Sequence, residues 1–473
     1  MKNTLYLRPQ SLAEAQAILA AHPQAQALAG GQSLLAAMKL GLCHPTHWVD
    51  LQDLQELRHI TLQADHLWIG AMVTHAQVAR DADVKAWCPM LAQLAAGIAD
   101  AQIRHVGTLG GSVANNDPAA CWPAGVLAAR ATFVTTEREI AADDFFQGLF
   151  TTALRPQELI LGLKFPASTG GHYLKFEQAA SRFALLGVAV VRDHQGGVRV
   201  ATTGLGHGVV RWHQAEQALG ERWDVHALND LDPHAQPALS DVHASAAYRQ
   251  HLMAVLCRRA VAHLTGQAPG LPRGAAHAAA QRLPSTQAQS QDAHALKGEH
   301  VLQAPLVRVW QALLDPNVLQ ASIPGCTAMR LVSLHHYQAT VKVGLGPVSA
   351  KFDTSVQLTP EIEPFGNAQH AQCALHMTGQ AGALGSGQAQ VLVQLHQEGS
   401  NTRLCWTAHP QLQGTLAQLG NRLVHASAQR LSEQFFERFA QVLLGEAPRR
   451  GWPVLFYALW QPLRRWWQHF LRK

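Results

Sequence analysis

Two double-glycine turns, each beside a hydroxyl residue, constrain the fold of this chain more than any other feature. The first is Ala29-Gly30-Gly31-Gln32-Ser33-Leu34, and the second runs from Thr108 through Gly110-Gly111-Ser112 to Asp117. Glycine reaches positive φ without steric cost and lets another group approach the backbone closely. Successive backbone N–H groups in such turns form a concave site for an anion. Two such turns in apolar sequence predict a clamp around the diphosphate of a dinucleotide-type cofactor.

Neither turn matches the common nucleotide motifs. The G-x-G-x-x-G spacing of a Rossmann unit is absent, and so is a phosphate loop that ends in Gly-Lys-Ser/Thr. A single double glycine is most often an ordinary tight turn, so the prediction depends on the pair. If a nucleotide binds here, the fold belongs to another class.

Composition limits the broad class of protein. The chain has 473 residues, of which 48% are hydrophobic and 15% charged, so two or three domains with large cores fit and global disorder does not. The net charge of +5 comes largely from the C-terminal end, which excludes a bulk nucleic-acid role. Seven scattered cysteines without a C-x-x-C pair argue against an iron–sulfur or zinc site in this chain, and they fit a reducing cytoplasm.

Helices that interrupt short strands predict an α+β fold for the first half of the chain. Ser11, followed by Glu14 and several alanines, predicts a capping box that opens a helix over 11–21. A later segment rich in Ala, Gln, Pro and Ser has the composition of a linker. The predicted parts are a larger domain at 1–170, a smaller lobe at 171–265, a linker at 266–295, a further domain at 296–443 and a tail at 444–473.

The further domain has a pattern of its own. A short helix near Trp310 is followed by several alternating strands. A long closing helix is predicted by apolar residues at helical spacing, namely Leu416, Leu419, Leu423, Leu431, Phe435 and Phe439. This order predicts a helix-grip fold, which often encloses an apolar cavity between sheet and helix.

The two glycine turns and their flanks resemble the FAD-binding medium subunit of molybdenum hydroxylases. That family includes the xanthine dehydrogenases and aerobic carbon monoxide dehydrogenase. The resemblance is carried by 29–40 and 103–118 and extends over about 1–265. It implies a vanillyl-alcohol-oxidase-type FAD-binding domain with a smaller C-terminal lobe, and it implies that both turns surround the FAD pyrophosphate.

The resemblance and the turn chemistry together predict a set of FAD-binding residues. The N–H groups of the first turn would face one phosphate and those of the second turn the other, and the two turns' hydroxyls would add hydrogen bonds. Asn115 and Asp117 would reach ribityl or adenosine hydroxyls. The family places Lys175 and the apolar stretch from Phe183 to Leu185 near the flavin ring. The full set is Ala29, Gly30, Gly31, Gln32, Ser33, Leu34, Thr108, Gly110, Gly111, Ser112, Asn115, Asp117, Lys175, Phe183 and Leu185.

One position departs from the family pattern. The family usually has a second acid four positions after the residue that corresponds to Asp117, and this chain has Cys121 there. The lost acceptor removes a flavin contact worth about 0.5–1.5 kcal/mol. A buried structural cysteine is the favoured interpretation of this position.

The further domain resembles the CoxG family, a group of carbon monoxide dehydrogenase proteins within the START-like superfamily. This resemblance implies recruitment of a dehydrogenase to the membrane, with a quinone or lipid in the helix-grip cavity. As turn residues alone, the glycines and prolines of these motifs would give the fold without a ligand. The carrying motifs are Val309-Trp310, Leu314-Asp315-Pro316, Ile323-Pro324-Gly325-Cys326, Gly346-Pro347-Val348, 379–382 and 414–420.

The tail predicts an amphipathic helix. Residues 451–473 hold four of the chain's twelve tryptophans, with large apolar residues on one helical side and Arg464, Arg465 and Arg472 on the other. This composition suits the surface of an anionic membrane. Docking on a partner subunit is the alternative, because Trp and Arg also dominate protein interfaces.

These patterns predict an oxidoreductase subunit at the inner face of the cytoplasmic membrane. Electrons would pass from a molybdopterin-containing large subunit through an iron–sulfur small subunit to FAD in this chain, and then to a quinone or another acceptor. A flavin-free adaptor that tethers such a complex, and a stand-alone flavin oxidase, are the alternatives. No catalytic acid–base set and no metal-ligand pattern is expected in this chain.

Overall fold

The computed structural model divides the chain into two compact units, Met1–Ser285 and Thr286–Lys473. Most of the predicted linker and tail lies outside the described residues, and so do the motifs at 346–347 and 414–420. None of the described helices has the length and hydropathy needed to cross a membrane. The structure describes residues 4–39, 43, 45–179, 181–241, 243–267, 296–345, 348–364, 368–382, 385–413 and 421–444.

The first unit begins with a parallel three-stranded sheet in the order β1-β3-β2. The first glycine turn connects its strand β2 to helix α2, as the sequence predicts. The elements are β1 (Leu5–Leu7), α1 (Leu12–Ala21), β2 (Ala25–Leu28), α2 (Leu34–Lys39) and β3 (His47–Asp50).

The start of α1 differs in one detail from the predicted capping box. The Ser11 hydroxyl accepts a hydrogen bond from the Glu14 N–H at 3.2 Å, as expected. The Glu14 carboxylate, however, accepts from the N–H of Gln10 at 2.7 Å rather than from that of Ser11. The reciprocal bond is therefore shifted outward by one residue.

An antiparallel sheet in the order β4-β5-β10-β6-β7 forms the middle of the first unit. The helix expected over 89–101 is divided, because Gly97 caps α5 and Ala99 has a φ of 41° before α6 begins. The elements are β4 (Ile60–Leu62), β5 (His66–Gly70), α3 (His75–Arg80), α4 (Ala82–Trp87), α5 (Pro89–Ala96), α6 (Ala101–Val106), α7 (Leu109–Asn115), α8 (Trp122–Ala128), β6 (Thr132–Thr135), β7 (Glu139–Ala141), α9 (Ala142–Phe145), β8 (Phe146–Gly148), β9 (Thr151–Thr152) and β10 (Ile160–Pro166).

The smaller lobe is an antiparallel meander, β11-β12-β13-β14, with a long helix against it. Eight successive residues of β12 are buried. Since side chains alternate along a strand, Ala189 and Val191 pack in the core of the larger domain while Val188 and Val190 pack with α11. The elements are β11 (Ser168–Glu177), β12 (Ala184–Asp193), β13 (Val198–Thr203), β14 (Val210–Arg211), α10 (His213–Glu221) and α11 (Ala246–Thr265).

The second unit is a seven-stranded antiparallel sheet with a long closing helix, which confirms the predicted helix-grip architecture. The strand order is β15-β21-β20-β19-β18-β17-β16, and Phe436 and Phe439 of the closing helix share the core with Trp406. The elements are β15 (Leu296–Leu302), α12 (Leu306–Leu314), α13 (Pro316–Ser322), β16 (Cys326–Ser333), β17 (His336–Leu345), β18 (Val348–Ile362), β19 (His370–Gln380), β20 (Ser386–Glu398), β21 (Asn401–Gln413) and α14 (Asn421–Leu443).

A cavity of about 880 Å³ in the second unit is polar, whereas an apolar cavity between sheet and helix was expected. Tyr337 and Ala339 belong to the buried side of β17, so the intervening Gln338 and Thr340 point to the opposite face. That face bears the cavity, which does not offer the surroundings that a lipid or quinone requires. Its polar lining includes Arg330, Gln338, Thr340, Asp353, Ser355, Gln388 and Gln411.

Candidate FAD site

The two glycine turns lie against each other in the first unit. A Cβ atom on Gly30 would overlap the carbonyl oxygen of Val106 and lie 2.8 Å from the Cα atom of Gly107. A Cβ atom on Gly111 would lie 3.4 Å from the Cβ atom of Ala29. The absence of a side chain at Gly30 therefore allows two turns that are distant in sequence to meet.

The first turn presents a row of hydrogen-bond donors. Within the part of the chain that the structure describes, the backbone N–H groups of residues 30–33 donate to no protein acceptor. Gly31 has a φ of 66°, and its carbonyl accepts from the N–H of Leu35 at 3.0 Å as α2 begins. A left-handed residue in such a row turns successive N–H groups toward one concave side. The first turn therefore has the donors that a phosphate requires.

The second turn uses its donors inside the protein. The Thr108 hydroxyl accepts from the N–H of Gly111 at 3.1 Å, and the Thr108 carbonyl accepts from the N–H of Ser112 at 3.1 Å. The N–H of Gly110 donates to the carbonyl of Ala71 at 2.9 Å, and a Cβ atom on Gly110 would lie 2.6 Å from that of Ala71. These N–H groups, predicted to face a phosphate, thus have protein acceptors. What the structure describes for Gly110 is close packing of α7 against the end of β5.

A buried histidine supports the second turn from behind. His75 donates its backbone N–H to the carbonyl of Gly107 at 3.0 Å. Its Nδ1 atom accepts a hydrogen bond from the indole N–H of Trp122 at 3.0 Å. Burial, together with the positive charge of Arg104, lowers the pKa of His75 to about 4, so the ring is neutral at pH 7. The sequence reasoning missed His75, because nothing in the pattern separates it from the chain's other histidines.

Replacing His75 by asparagine should make the first unit less sensitive to acid. The unfolded ring binds a proton near pH 6.5 and the folded ring near pH 4. The unfolded state therefore takes up more protons as the pH falls through this window, and stability that is present above pH 6.5 is lost. From this group we expect the wild type to lose about 2 kcal/mol of unfolding free energy between pH 7 and pH 5, and His75→Asn to be spared that loss. Urea unfolding at both pH values measures it, and equal losses in both proteins would refute the assignment.

Asn116 fixes the segment that follows α7. It is fully buried with a φ of 45°, and its Nδ2 atom donates to the carbonyls of Gly148 and Thr151 at 2.8 Å each. Asparagine is one of the few residues that adopts this left-handed conformation readily. The predicted ligands Asn115 and Asp117 flank it and are both half-buried. Sequence alone could not separate the structural asparagine from its neighbour.

The smaller lobe holds the chain on the other side of Asp117. The Thr203 hydroxyl donates to the carbonyls of Pro118 and Ala120 at 2.7 and 2.8 Å. The N–H of Gly204 donates to the carbonyl of Pro118 at 2.8 Å. The end of β13 thus sets the position of the Asp117 segment, which links the lobe to the candidate site.

Lys175 anchors the turn between β11 and β12. Its ammonium group donates to the carbonyls of Gly97 and Arg182 at 2.7 and 3.0 Å, and its side chain is 6% exposed. Phe183 is 46% exposed, while Leu185 is buried in the core of the lobe. Of the three residues predicted to lie near a flavin ring, Phe183 is therefore the one with an exposed apolar surface.

Cys121 is buried, as expected, directly before α8. Burial raises the pKa of its thiol, and burial also raises the pKa of the neighbouring Tyr173 hydroxyl well above its usual range. Both groups are therefore neutral at pH 7. A neutral buried thiol does not replace the carboxylate that the family pattern has at this position.

Three family models match the chain once it is compared with known proteins. Residues 2–168 match the FAD binding domain in molybdopterin dehydrogenase. Residues 171–264 match the CO dehydrogenase flavoprotein C-terminal domain. Residues 298–444 match the carbon monoxide dehydrogenase protein CoxG.

Individual relatives match over nearly their whole length. The carbon monoxide dehydrogenase medium chain of Afipia carboxidovorans is 36% identical, and the match covers 54% of this chain and 94% of the relative. The nicotine 6-hydroxylase medium subunit of Paenarthrobacter nicotinovorans is 33% identical, with 54% of this chain and 95% of the relative covered. A solved chain of reconstituted CO dehydrogenase from Oligotropha carboxidovorans has a TM-score of 0.53 and 32% identity, and the match covers 56% of this chain and 99% of that chain.

Proposed function

Because the chain belongs to the family of FAD-binding medium subunits of molybdopterin dehydrogenases, with a CoxG domain in the same chain, we propose that it is the electron-transfer subunit of a molybdenum hydroxylase complex. Electrons enter from an iron–sulfur small subunit that serves a molybdopterin-containing large subunit. They leave to a quinone or another acceptor. The observation that carries this proposal is the row of open N–H groups at residues 30–33, which lies against the second glycine turn.

The residues of the site fit FAD, and each has a distinct task. FAD supplies the redox chemistry when it is bound. The N–H groups of residues 30–33 bind a phosphate, because they are donors that the protein itself leaves without an acceptor. Asp117, positioned by the smaller lobe, orients the cofactor by accepting from a hydroxyl group. Phe183 covers the cofactor with an apolar surface that limits access of water.

The complex itself tests the electron-transfer role. It would be isolated through a tag on this chain and supplied anaerobically with carbon monoxide, an aldehyde, a purine or another heterocycle in turn. We expect one of these substrates to bleach the flavin absorbance of the complex, while the chain alone stays unbleached. Bleaching of the isolated chain by a small substrate would support a stand-alone oxidase instead and would refute the proposal.

We further propose that the second unit and the tail hold the complex at the inner face of the cytoplasmic membrane. The CoxG match of residues 298–444 supports this role. The tail at 451–473 adds the tryptophans and arginines that suit an anionic membrane surface, although it lies outside the described residues.

Deleting residues 451–473 should reduce binding to vesicles of phosphatidylglycerol and phosphatidylcholine at least tenfold. The reason is that the deletion removes both the apolar side and the arginines of an interfacial helix. Flotation of the full chain and the truncated chain measures the effect, and vesicles of phosphatidylcholine alone serve as the control for charge. Equal flotation of the two proteins would rule out the tail as the anchor. Loss of copurifying subunits without loss of flotation would assign the tail to a partner.

A further inference from the structure

The hairpin formed by β16 and β17 carries exposed aliphatic side chains at its tip. Leu331, Val332 and Leu334 are 51%, 49% and 81% exposed, and we call these three residues the hairpin knob. Ser333 pairs with His336, so the turn between the strands has two residues, of which Leu334 is the first. Strand β16 is the edge of the seven-stranded sheet, so the knob projects from the edge hairpin.

The knob departs from the usual chemistry of a tight turn. Two-residue hairpin turns favour glycine, asparagine and aspartate, and here the second residue, His335, has a φ of 57°. A leucine that keeps most of its surface in water gives nothing to the core. The hairpin is anchored elsewhere, through the buried Tyr337, whose hydroxyl donates to the carbonyl of Leu314 at 3.0 Å. A local departure of this kind, without a role in packing, is expected where function requires it.

We propose that the hairpin knob inserts into the interface of an anionic bilayer, as a membrane contact separate from the tail. This inference rests on the proposed membrane recruitment. It names the lipid surface as the partner of a feature that the family matches do not assign.

The size and shape of the knob favour a bilayer over a protein. A stable protein interface buries about 800 Å² on each partner. Three aliphatic side chains on a convex tip supply a small part of that area. A bilayer needs no complementary groove, because each apolar side chain gains by leaving water on its own.

The charge around the knob also favours an anionic surface. No aspartate or glutamate occurs from Pro316 to Phe352, where the charged residues are Arg330, Lys342 and Lys351. Arg330 directly precedes the knob, is exposed, and donates from Nη2 to the side-chain oxygen of Gln338 at 2.6 Å. Its guanidinium is thus held beside the tip, where it would meet lipid phosphates.

The test compares two matched variants of the full chain. Val332→Ser/Leu334→Ser removes the most prominent part of the knob. Val301→Ser/Val307→Ser removes two aliphatic residues of the same unit that are 53% and 40% exposed away from the hairpin. Vesicles of equal parts phosphatidylglycerol and phosphatidylcholine are the probe, and thermal melts verify that both variants fold. We expect the knob variant to bind at least tenfold more weakly than the wild type, and the control variant to bind within twofold of it.

The outcomes separate this inference from the function on which it rests. A knob variant that floats like the wild type, while deletion of 451–473 abolishes flotation, overturns the knob and leaves recruitment standing. A wild-type chain that does not float overturns the recruitment proposal and the knob with it. A knob variant that keeps vesicle binding but loses copurifying subunits assigns the knob to a protein partner and also overturns the inference.

Discussion

Replacing Arg249 by methionine is expected to lower the unfolding free energy of the first unit by about 3–5 kcal/mol. Arg249 is 1% exposed, and its Nη2 atom donates to both carboxylate oxygens of Asp241 at 2.7 Å. Its Nη1 atom donates to the carbonyls of Leu185 and Gly204 at 2.7 Å each. Methionine would fill much of the volume, but it would leave a buried carboxylate and two carbonyls without their donor. Since domains are stable by only about 5–15 kcal/mol, this loss is large.

The same helix offers a matched control. Arg259 of α11 is exposed, so Arg259→Met should change the unfolding free energy by less than about 0.5 kcal/mol. The double variant Arg249→Met/Asp241→Leu should recover part of the loss, because it removes the unpaired charge. Urea unfolding of the four proteins measures these differences. Equal effects of the two single substitutions would show that the ion pair does not contribute as described.

The variant Gly30→Val is expected to weaken FAD binding at least 100-fold, which corresponds to about 2.7 kcal/mol. The new side chain would overlap the carbonyl oxygen of Val106, a backbone atom fixed at the end of α6. The two turns would have to separate, and the row of N–H groups at residues 30–33 would lose its position. Calorimetric titration of the apoprotein with FAD measures the dissociation constant.

Two further glycine variants make this prediction specific. No atom lies within 4 Å of a Cβ atom built on Gly206, so Gly206→Val should leave FAD binding within twofold of the wild type. Gly31→Ala should be intermediate, because the new atom meets the movable Leu35 side chain while its φ of 66° strains an alanine by about 1–3 kcal/mol. If Gly30→Val bound FAD as tightly as Gly206→Val, the clamp would not be the binding site.

The candidate site was predictable where a residue type itself states the requirement. Gly30 and Gly31 show it, because close approach and positive φ are properties that glycine provides and other residues do not. The turn after β2 and the order of helices and strands follow from the same local signals. The apolar run of β12 likewise announced a strand buried on both faces.

The rest depended on partners that lie far away in sequence. The N–H of Gly110 is engaged because Ala71 happens to lie beside it, and no local pattern reports that contact. The same holds for the bond between Trp122 and His75, and for Lys175, whose ammonium reaches the carbonyl of Gly97. Residue type predicted the polar chemistry at these positions, whereas the three-dimensional neighbours decided what it is used for.

The visible spectrum of the purified full chain tests the central claim most directly. The chain would be incubated with FAD, freed of unbound cofactor, and its flavin absorbance compared with its protein content. The family membership and the row of open N–H groups at residues 30–33 predict close to one FAD per chain. A chain that retains no FAD after this treatment would contradict the electron-transfer role and would leave a flavin-free tether as its function.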